Sequence, residues 1–255
     1  MTTAIATYPS LKGKSVVITG GGSGIGEAIT RRFAEQGCKV GFIDIAGEVS
    51  KKLAAELTAA GHSVHYEHCD LKDIPAVRIA IANIRAVQGP VTILVNNAAH
   101  DQRHATPDVT PEYFDERIAT NLRHQFFCAQ AVLPDMQAQG GGSIINFGSV
   151  SWMVGQGGMA VYTAAKSAVL GLTRSLARDY GPDNIRVNAI APGWIMTERQ
   201  KTLWLNEESE KELMQRQCLK RKLQPDEIAR ATLFFASDEA SACTNQQYVV
   251  DGGWV

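Results

Sequence analysis

The sequence predicts an α/β protein, one parallel doubly wound sheet with helices on both faces. Three observations lead there. Short β-branched or apolar runs alternate with segments of helical periodicity along the chain. The run Val91-Thr92-Ile93-Leu94-Val95 is continuously apolar, as in strands buried on both faces. No Pro/Ser-rich linker, internal repeat or low-complexity tract divides the 255 residues, so 1–255 reads as a single domain. Alternation of this kind is satisfied by crossover helices between parallel strands.

Taken in order, Val16 to Thr19 is a β-branched strand that runs straight into glycines. Ile25, Ala28, Ile29 and Phe33 recur at helical spacing, and Gly37 ends that helix. Val40 to Asp44 is the second strand. Residues 49–60 form the second helix, with Val49, Leu53 and Leu57 on one face. Val64 to Cys69 is the third strand, residues 74–87 the third helix and Val91 to Val95 the fourth strand. Phe114, Ile118, Leu122 and Phe126 trace a long fourth helix as its apolar stripe. Ser143 to Phe147 and Ile185 to Ile190 are strands, with the helix holding Tyr162 between them. Residues 225–236 are helical and Gln247 to Val250 is the last strand. Residues 198–222 are polar and helix-prone without a strand partner. They suit a lid over a site or a solvated helix pair.

Composition bounds the function. Apolar residues make up 45% and charged residues 20%, enough for a sizeable core, and the formal net charge of −1 gives a polyanion no support. No apolar run approaches the roughly 20 residues of a membrane span, and Met1 to Ser10 lacks the zones of a signal peptide. Five scattered cysteines without a C-x-x-C pair read as reduced thiols of a cytoplasmic protein. His62, His65 and His68 are spaced three apart, but the last two fall on a strand and face opposite sides, so no metal is expected. Lys220-Arg221-Lys222 reads as a solvated charge run.

The loop Thr19-Gly20-Gly21-Gly22-Ser23-Gly24-Ile25-Gly26 lies between strand and helix. Glycines there permit a tight turn and close backbone approach to a pyrophosphate, and the helix N-terminus adds free N–H groups and a positive dipole end. Asp44 ends the second strand, where a carboxylate reaches ribose hydroxyls and repels a 2′-phosphate. Neither Ser23 nor Ile45 supplies a cation, so NAD is expected over NADP. Tyr162 and Lys166, four apart, share one helix face. An ammonium favours phenolate, as does an oxidised nicotinamide ring, so Tyr162 can serve as a base. Ser149 follows a strand at the C-terminal sheet edge and can hold the reacting oxygen. Asn121 interrupts the fourth helix's apolar stripe, and a water relay to Lys166 would explain it.

With these residues in place the chain resembles the short-chain dehydrogenase/reductase family over nearly its full length. The resemblance rests on the Thr19–Gly26 motif, Asp70, Asn96-Asn97-Ala98-Ala99, the tetrad Asn121, Ser149, Tyr162 and Lys166, and Pro192-Gly193 followed by Ile195 and Thr197. Ala99 departs from the usual glycine but keeps close packing. The resemblance implies a Rossmann-like sheet. It also implies an NAD site formed by Gly20, Ser23, Gly24, Ile25, Gly26, Asp44, Ile45, Asp70, Leu71, Asn97, Ala98, Tyr162, Lys166, Pro192, Gly193, Ile195 and Thr197. A homotetramer follows in the same way, with the chain end Asp251 to Val255 at a subunit interface.

Asn96 to His104, Asn121 to His124, Ile145 to Trp152 and Gln217 to Lys220 further resemble bacterial sugar dehydrogenases of the D-xylose and L-arabinose type. That implies oxidation of an aldose at C1 to the lactone. The substrate groups would be His100, Ser149, Ser151, Trp152, Gln156, Tyr162, Trp194 and Arg199, with Asp101 and Arg103 beside them. Two other readings stay open: oxidation of a secondary alcohol in a sugar acid or polyol, and an NAD-binding sensor without turnover.

Overall fold

A computed structural model describes residues 6–255. The first five residues, part of the segment read above for targeting signals, lie outside the described region. Seven parallel strands form one sheet in the order β3-β2-β1-β4-β5-β6-β7. They are β1 (Ser15–Thr19), β2 (Lys39–Asp44), β3 (Val64–His68), β4 (Ile93–Asn96), β5 (Gly142–Phe147), β6 (Ile185–Pro192) and β7 (Gln247–Val250). The helices are α1 (Gly24–Glu35), α2 (Gly47–Ala59), α3 (Ile74–Gln88), α4 (Pro111–Ile118), α5 (His124–Ala138), α6 (Ala160–Tyr180), α7 (Glu198–Leu203), α8 (Glu207–Arg216) and α9 (Pro225–Ala236). Each expected strand and helix is present, with boundaries shifted by a few residues. The doubly wound α/β class holds.

Strand alternation divides the core into two layers. Val16, Ile18, Ile93, Val95, Ile145 and Phe147 face the layer holding Phe33 of α1 and Ile228 and Leu233 of α9. Val17, Leu94 and Ile144 face the other, with Ile81 and Ile84 of α3 and Val132 and Met136 of α5. Successive strand residues point to opposite faces, so a strand covered on both sides must be apolar throughout. All five residues of β1 are buried.

The long fourth helix is where structure and expectation part. It runs as α4, a π turn over Ala119–Arg123, and α5. Phe114 and Phe126 of the supposed inner stripe are 44% and 43% exposed. The wider turn rotates the helix, and Asn121, His124 and Gln125 face inward instead, all fully buried. A π turn exchanges i→i−4 for i→i−5 hydrogen bonds, which hydrophobic spacing does not encode.

Strand order reverses between β1 and β4. The loops leaving the two strands diverge there and open a crevice at the C-terminal edge, the usual ligand position in such sheets. The clearance under that edge is small. A Cβ added at Gly41 in β2 would lie 2.3 Å from Cγ2 of Ile84. Gly41→Ala therefore overpacks the α3 layer, with an expected loss of about 1–3 kcal/mol and a Tm drop of about 3–10 °C, measured by thermal unfolding.

Candidate active site

The crevice is a cleft of about 1510 Å³. Every residue expected at the cofactor lines it, and so do Ser149, Ser151, Gln156, Tyr162, His100, Trp194 and Arg199. Two expected residues do not. Trp152 ends a 3₁₀ turn whose earlier members Val150 and Ser151 face the cleft; one step further round the turn, its ring leaves it. Asn121 lies behind the cleft wall and is fully buried.

The glycine loop is held from three sides. Asn97 donates from its side chain to the carbonyls of Thr19 and Gly20 at 3.1 and 3.0 Å. Thr19 Oγ1 accepts from Ala98 N at 3.1 Å. Asp44 accepts from Gly22 N at 2.9 Å and from Ala46 N at 2.8 Å. Gly20 adopts φ +66°, and a Cβ at Gly26 would sit 1.7 Å from the Gly20 carbonyl. Any side chain at 26 would break the turn.

These groups fit a dinucleotide. Ser23 precedes α1 without capping it, although side chains cap α3, α4, α7 and α8. The first-turn amides of α1 thus have no side-chain competitor for a pyrophosphate. Each Asp44 oxygen keeps a second lone pair for a ribose hydroxyl. Asp70 accepts from Lys72 N at 2.9 Å, which leaves its other oxygen near the Lys72 ammonium at 3.5 Å.

At the far end of the cleft stand Tyr162, Lys166 and Ser149. The Lys166 ammonium is buried and donates to the Phe147 carbonyl at 2.8 Å. It lies 5.8 Å from the Tyr162 ring centre. Burial lowers its pKa to about 7. Burial also raises the Tyr162 phenol, Asp101's charge adds to this, and the Ser149 hydroxyl opposes it. The expectation that Lys166 depresses the phenol is therefore not met in the ligand-free site, where burial and the Asp101 charge outweigh the one lowering contact, from Ser149. Ser149 Oγ accepts from Ser151 N at 3.1 Å. Ser151 carries a buried hydroxyl with no protein partner at the cleft wall.

Asn121 is a positioning residue in this geometry. Its oxygen accepts from His100 N at 2.8 Å, and its amide donates to the carbonyls of Arg117 at 2.9 Å and His100 at 3.3 Å. Both amide hydrogens are thus committed to tying the loop after β4 to the π turn. His100 accepts at Nδ1 from Arg117 at 2.8 Å, and burial followed by Arg199 and Arg117 holds its imidazole below the ordinary range.

Residues 198–222 cross the cleft mouth as α7 and α8. Asp101 accepts from Arg199 Nε at 3.1 Å and from Gln200 Nε2 at 2.7 Å, and Trp194 donates to Gln200 Oε1 at 2.8 Å. The Arg103 guanidinium lies 4.0 Å from the Trp204 ring centre. Gln200, Trp204 and Arg117 are cleft residues that sequence reasoning missed; Gln200 and Trp204 meet partners about a hundred positions away, and Arg117 meets His100 17 positions away across a loop, so none leaves a local signal. Trp254, in the tail expected at an interface, also lines the cleft. Among the described residues no cluster could hold a metal ion, and no helix is long and apolar enough to cross a membrane.

A pyrophosphate cradle and a phenol–ammonium pair at the switch point of a parallel sheet define a Rossmann-type oxidoreductase. Comparisons agree. Residues 20–255 match a family model described as enoyl-(acyl carrier protein) reductase. The chain is 50% identical over 249 residues to a D-xylose 1-dehydrogenase of Caulobacter vibrioides, covering 98% of each. It is 49% identical over 254 residues to a probable galactose dehydrogenase of Rhizobium meliloti, covering 99% of each. A 7α-hydroxysteroid dehydrogenase solved with NADH and a 7-oxo bile acid superposes with TM-score 0.92 at 33% identity, over 96% of each chain. A short-chain dehydrogenase/reductase of Serratia marcescens gives 0.89 at 33% identity, over 96% of this chain and 99% of that one. The chain belongs to the short-chain dehydrogenase/reductase family.

The lysine's burial predicts a pH signature. Its folded pKa, about 7, is below its ordinary 10.5, so between these values the unfolded chain binds more protons and stability rises with pH. Cys38 and Cys128, raised by burial to about 12, and Cys69, raised to about 11, oppose this once free thiols near 9.0 ionise. From pH 7 to 9 the Tm of the ligand-free protein is expected to rise, and Lys166→Met to flatten that rise.

Proposed function

We propose that the protein oxidises an aldose at C1 to the lactone with NAD, Tyr162 acting as general base. The carrying observation is the convergence of Tyr162, Lys166 and Ser149 on one end of a cleft whose other end is the uncapped α1 N-terminus beside Asp44. Ser149 holds the reacting hydroxyl, and Tyr162 takes its proton. Lys166 holds the nicotinamide ribose and keeps a positive charge near the phenol. The bound cofactor supplies the hydride acceptor. Its oxidised ring is also the second cation needed to bring the phenol down, since Lys166 alone does not. Asn121 holds the floor of the site, with one lone pair of its oxygen left for a proton-relay water.

Relatives named for xylose and galactose support a sugar. So does the lining. Trp194, Trp204 and Trp254 offer apolar faces, and Ser151, His100 and Gln156 offer polar groups. Two cations of the cleft are already paired, Arg199 with Asp101 and Arg117 with Glu116, as suits a neutral sugar, while Arg103 stacks on Trp204 without a carboxylate partner. Residues 198–222 act as the lid.

A homotetramer in the cytoplasm completes the reading. Phe126 and Val87 on one side and, on the other, Phe234 of α9 and Tyr248 of edge strand β7 are exposed apolar groups suited to subunit contacts. All five cysteines are free, as in a reducing compartment.

NADH formation against aldoses, sugar acids and simple secondary alcohols tests the proposal. Turnover is expected with a pentose or hexose aldose. Turnover restricted to sugar acids or polyols would replace the aldose, and NAD binding without any turnover would indicate a sensor. Tyr162→Phe is expected to lower kcat by about 10²–10⁴ with NAD affinity retained; unchanged kcat would remove the base. Asp44→Ala is expected to lower the ratio of kcat/KM for NAD over NADP by about tenfold or more, through loss of a charged hydrogen bond and of repulsion.

A further inference from the structure

His100 lines the cleft just beyond the end of β4 and is held there from two sides. Its backbone is clamped by Asn121, whose oxygen takes the His100 amide at 2.8 Å and whose amide reaches the His100 carbonyl at 3.3 Å. Its ring is held from α4. Arg117 lies one turn before Asn121, is buried, and brings Nη1 to His100 Nδ1 at 2.8 Å. Glu116 engages the Arg117 Nε and Nη2, and Lys72 steadies Glu116 at 3.1 Å. The guanidinium also packs 5.6 Å from the Tyr113 ring centre. Nη1 is the end left for the imidazole.

The direction of that bond carries chemical information. A guanidinium has five donors and no acceptor, and it keeps its proton in proteins. Nδ1 must therefore be the unprotonated nitrogen, since a hydrogen there would face the hydrogen of Nη1. The neutral ring then carries its proton on Nε2. A doubly protonated ring is excluded by the same contact. Burial, Arg199 and Arg117 favour the neutral form against Asp101 and Glu116. Among the described residues the ring makes no other protein hydrogen bond. Nε2 is also not one of the sealed, unpaired polar atoms, so it stays open on the cleft side of the residue.

We infer that Arg117 is a positioning residue that fixes His100 as an Nε2–H donor toward the cleft, where it holds an acceptor oxygen of the substrate other than the reacting one. That oxygen is a hydroxyl or ring oxygen of a sugar, and this half rests on the aldose reading above. A neutral donor matches an uncharged polyol, because it gives direction to the contact without bringing a charge that needs a counter-ion. The partner atom must present a lone pair. A substrate analogue with hydrogen in place of that oxygen leaves the N–H unpaired, so it is rejected by more than the loss of one bond. His100 thereby reads one position of the sugar, and Arg117 sets what it reads.

Two measurements test it. ¹⁵N NMR of the histidine rings in the ligand-free protein, assigned with His100→Gln, reads the tautomer without any substrate. His100 is expected to show an unprotonated, hydrogen-bonded Nδ1 and a protonated Nε2. In Arg117→Met the Nδ1 signal is expected to leave that position. A protonated Nδ1 in wild type, or unchanged ring signals in the Met variant, would overturn the positioning role. The second measurement is a double-mutant cycle on the best substrate of the panel. His100→Leu and Arg117→Met are each expected to lower kcat/KM about 3–10-fold, mainly through KM. The double variant is expected to match His100→Leu alone, and His100→Gln, which keeps an N–H donor, to recover most of the loss. Multiplied losses would show that Arg117 does not act through the ring, and an unaffected His100→Leu would remove the substrate contact. Should Arg117→Met not fold, the wild-type ring signals decide the tautomer and the His100 variants decide the contact. If no aldose turns over while the ring signals are as expected, the sugar half falls and the fixed tautomer stands.

Discussion

A fully buried ammonium constrains everything around it. Placing Lys166 away from water costs several kcal/mol unless neighbours compensate, and within the protein it has one acceptor, the carbonyl at the end of β5. The remaining donors make the site incomplete without a ligand that carries oxygen acceptors. Burial also keeps its charge unscreened, so it acts on the buried imidazole of His124. A lysine at the surface would be cheaper and chemically inert.

Such a group must be held by rigid parts, and the sheet supplies them. Asn96 at the end of β4 donates to Asn146 of β5 at 2.9 Å and to the Gln125 carbonyl of α5 at 3.1 Å. Asn146 in turn donates to Thr173 of α6 at 3.0 Å. This buried chain of amides and a hydroxyl ties β4, β5, α5 and α6 together beneath the reacting groups. Its partners are fixed by geometry, so small shifts of α6 are resisted, and Tyr162 inherits that rigidity from its helix.

The parallel strands were legible in the sequence because covering both faces leaves an unmistakable apolar run. The glycine loop was legible because only glycine fits at position 26, and the Tyr162–Lys166 pair because i and i+4 share a face wherever the helix lies. What escaped has a physical cause in each case. The π turn depends on which carbonyl an amide selects, and Phe114 and Phe126 mimic a core stripe while facing outward. Trp152 was lost to a one-residue rotation of a 3₁₀ turn. The phenol's raised pKa follows from burial in three dimensions, which no spacing reveals. Asp101 could be suspected near the site, but its partners on α7 lie 98 and 99 positions away.

That carboxylate has a thermodynamic consequence. Asp101 is held by Arg199 and Gln200 of α7 while its charge bears on Tyr162. A polyol whose hydroxyls donate to Asp101 must compete with the protein's own side chains for the same oxygens. Were residues 198–222 to open as the proposed lid, its measured affinity would contain the equilibrium between latched and unlatched states and be weaker than the intrinsic contact by the unlatched fraction. Substrates alike in shape but different in their grip on this one carboxylate would separate in affinity. With such a lid they would also separate in how fast the product is released, and the latch would time the cycle.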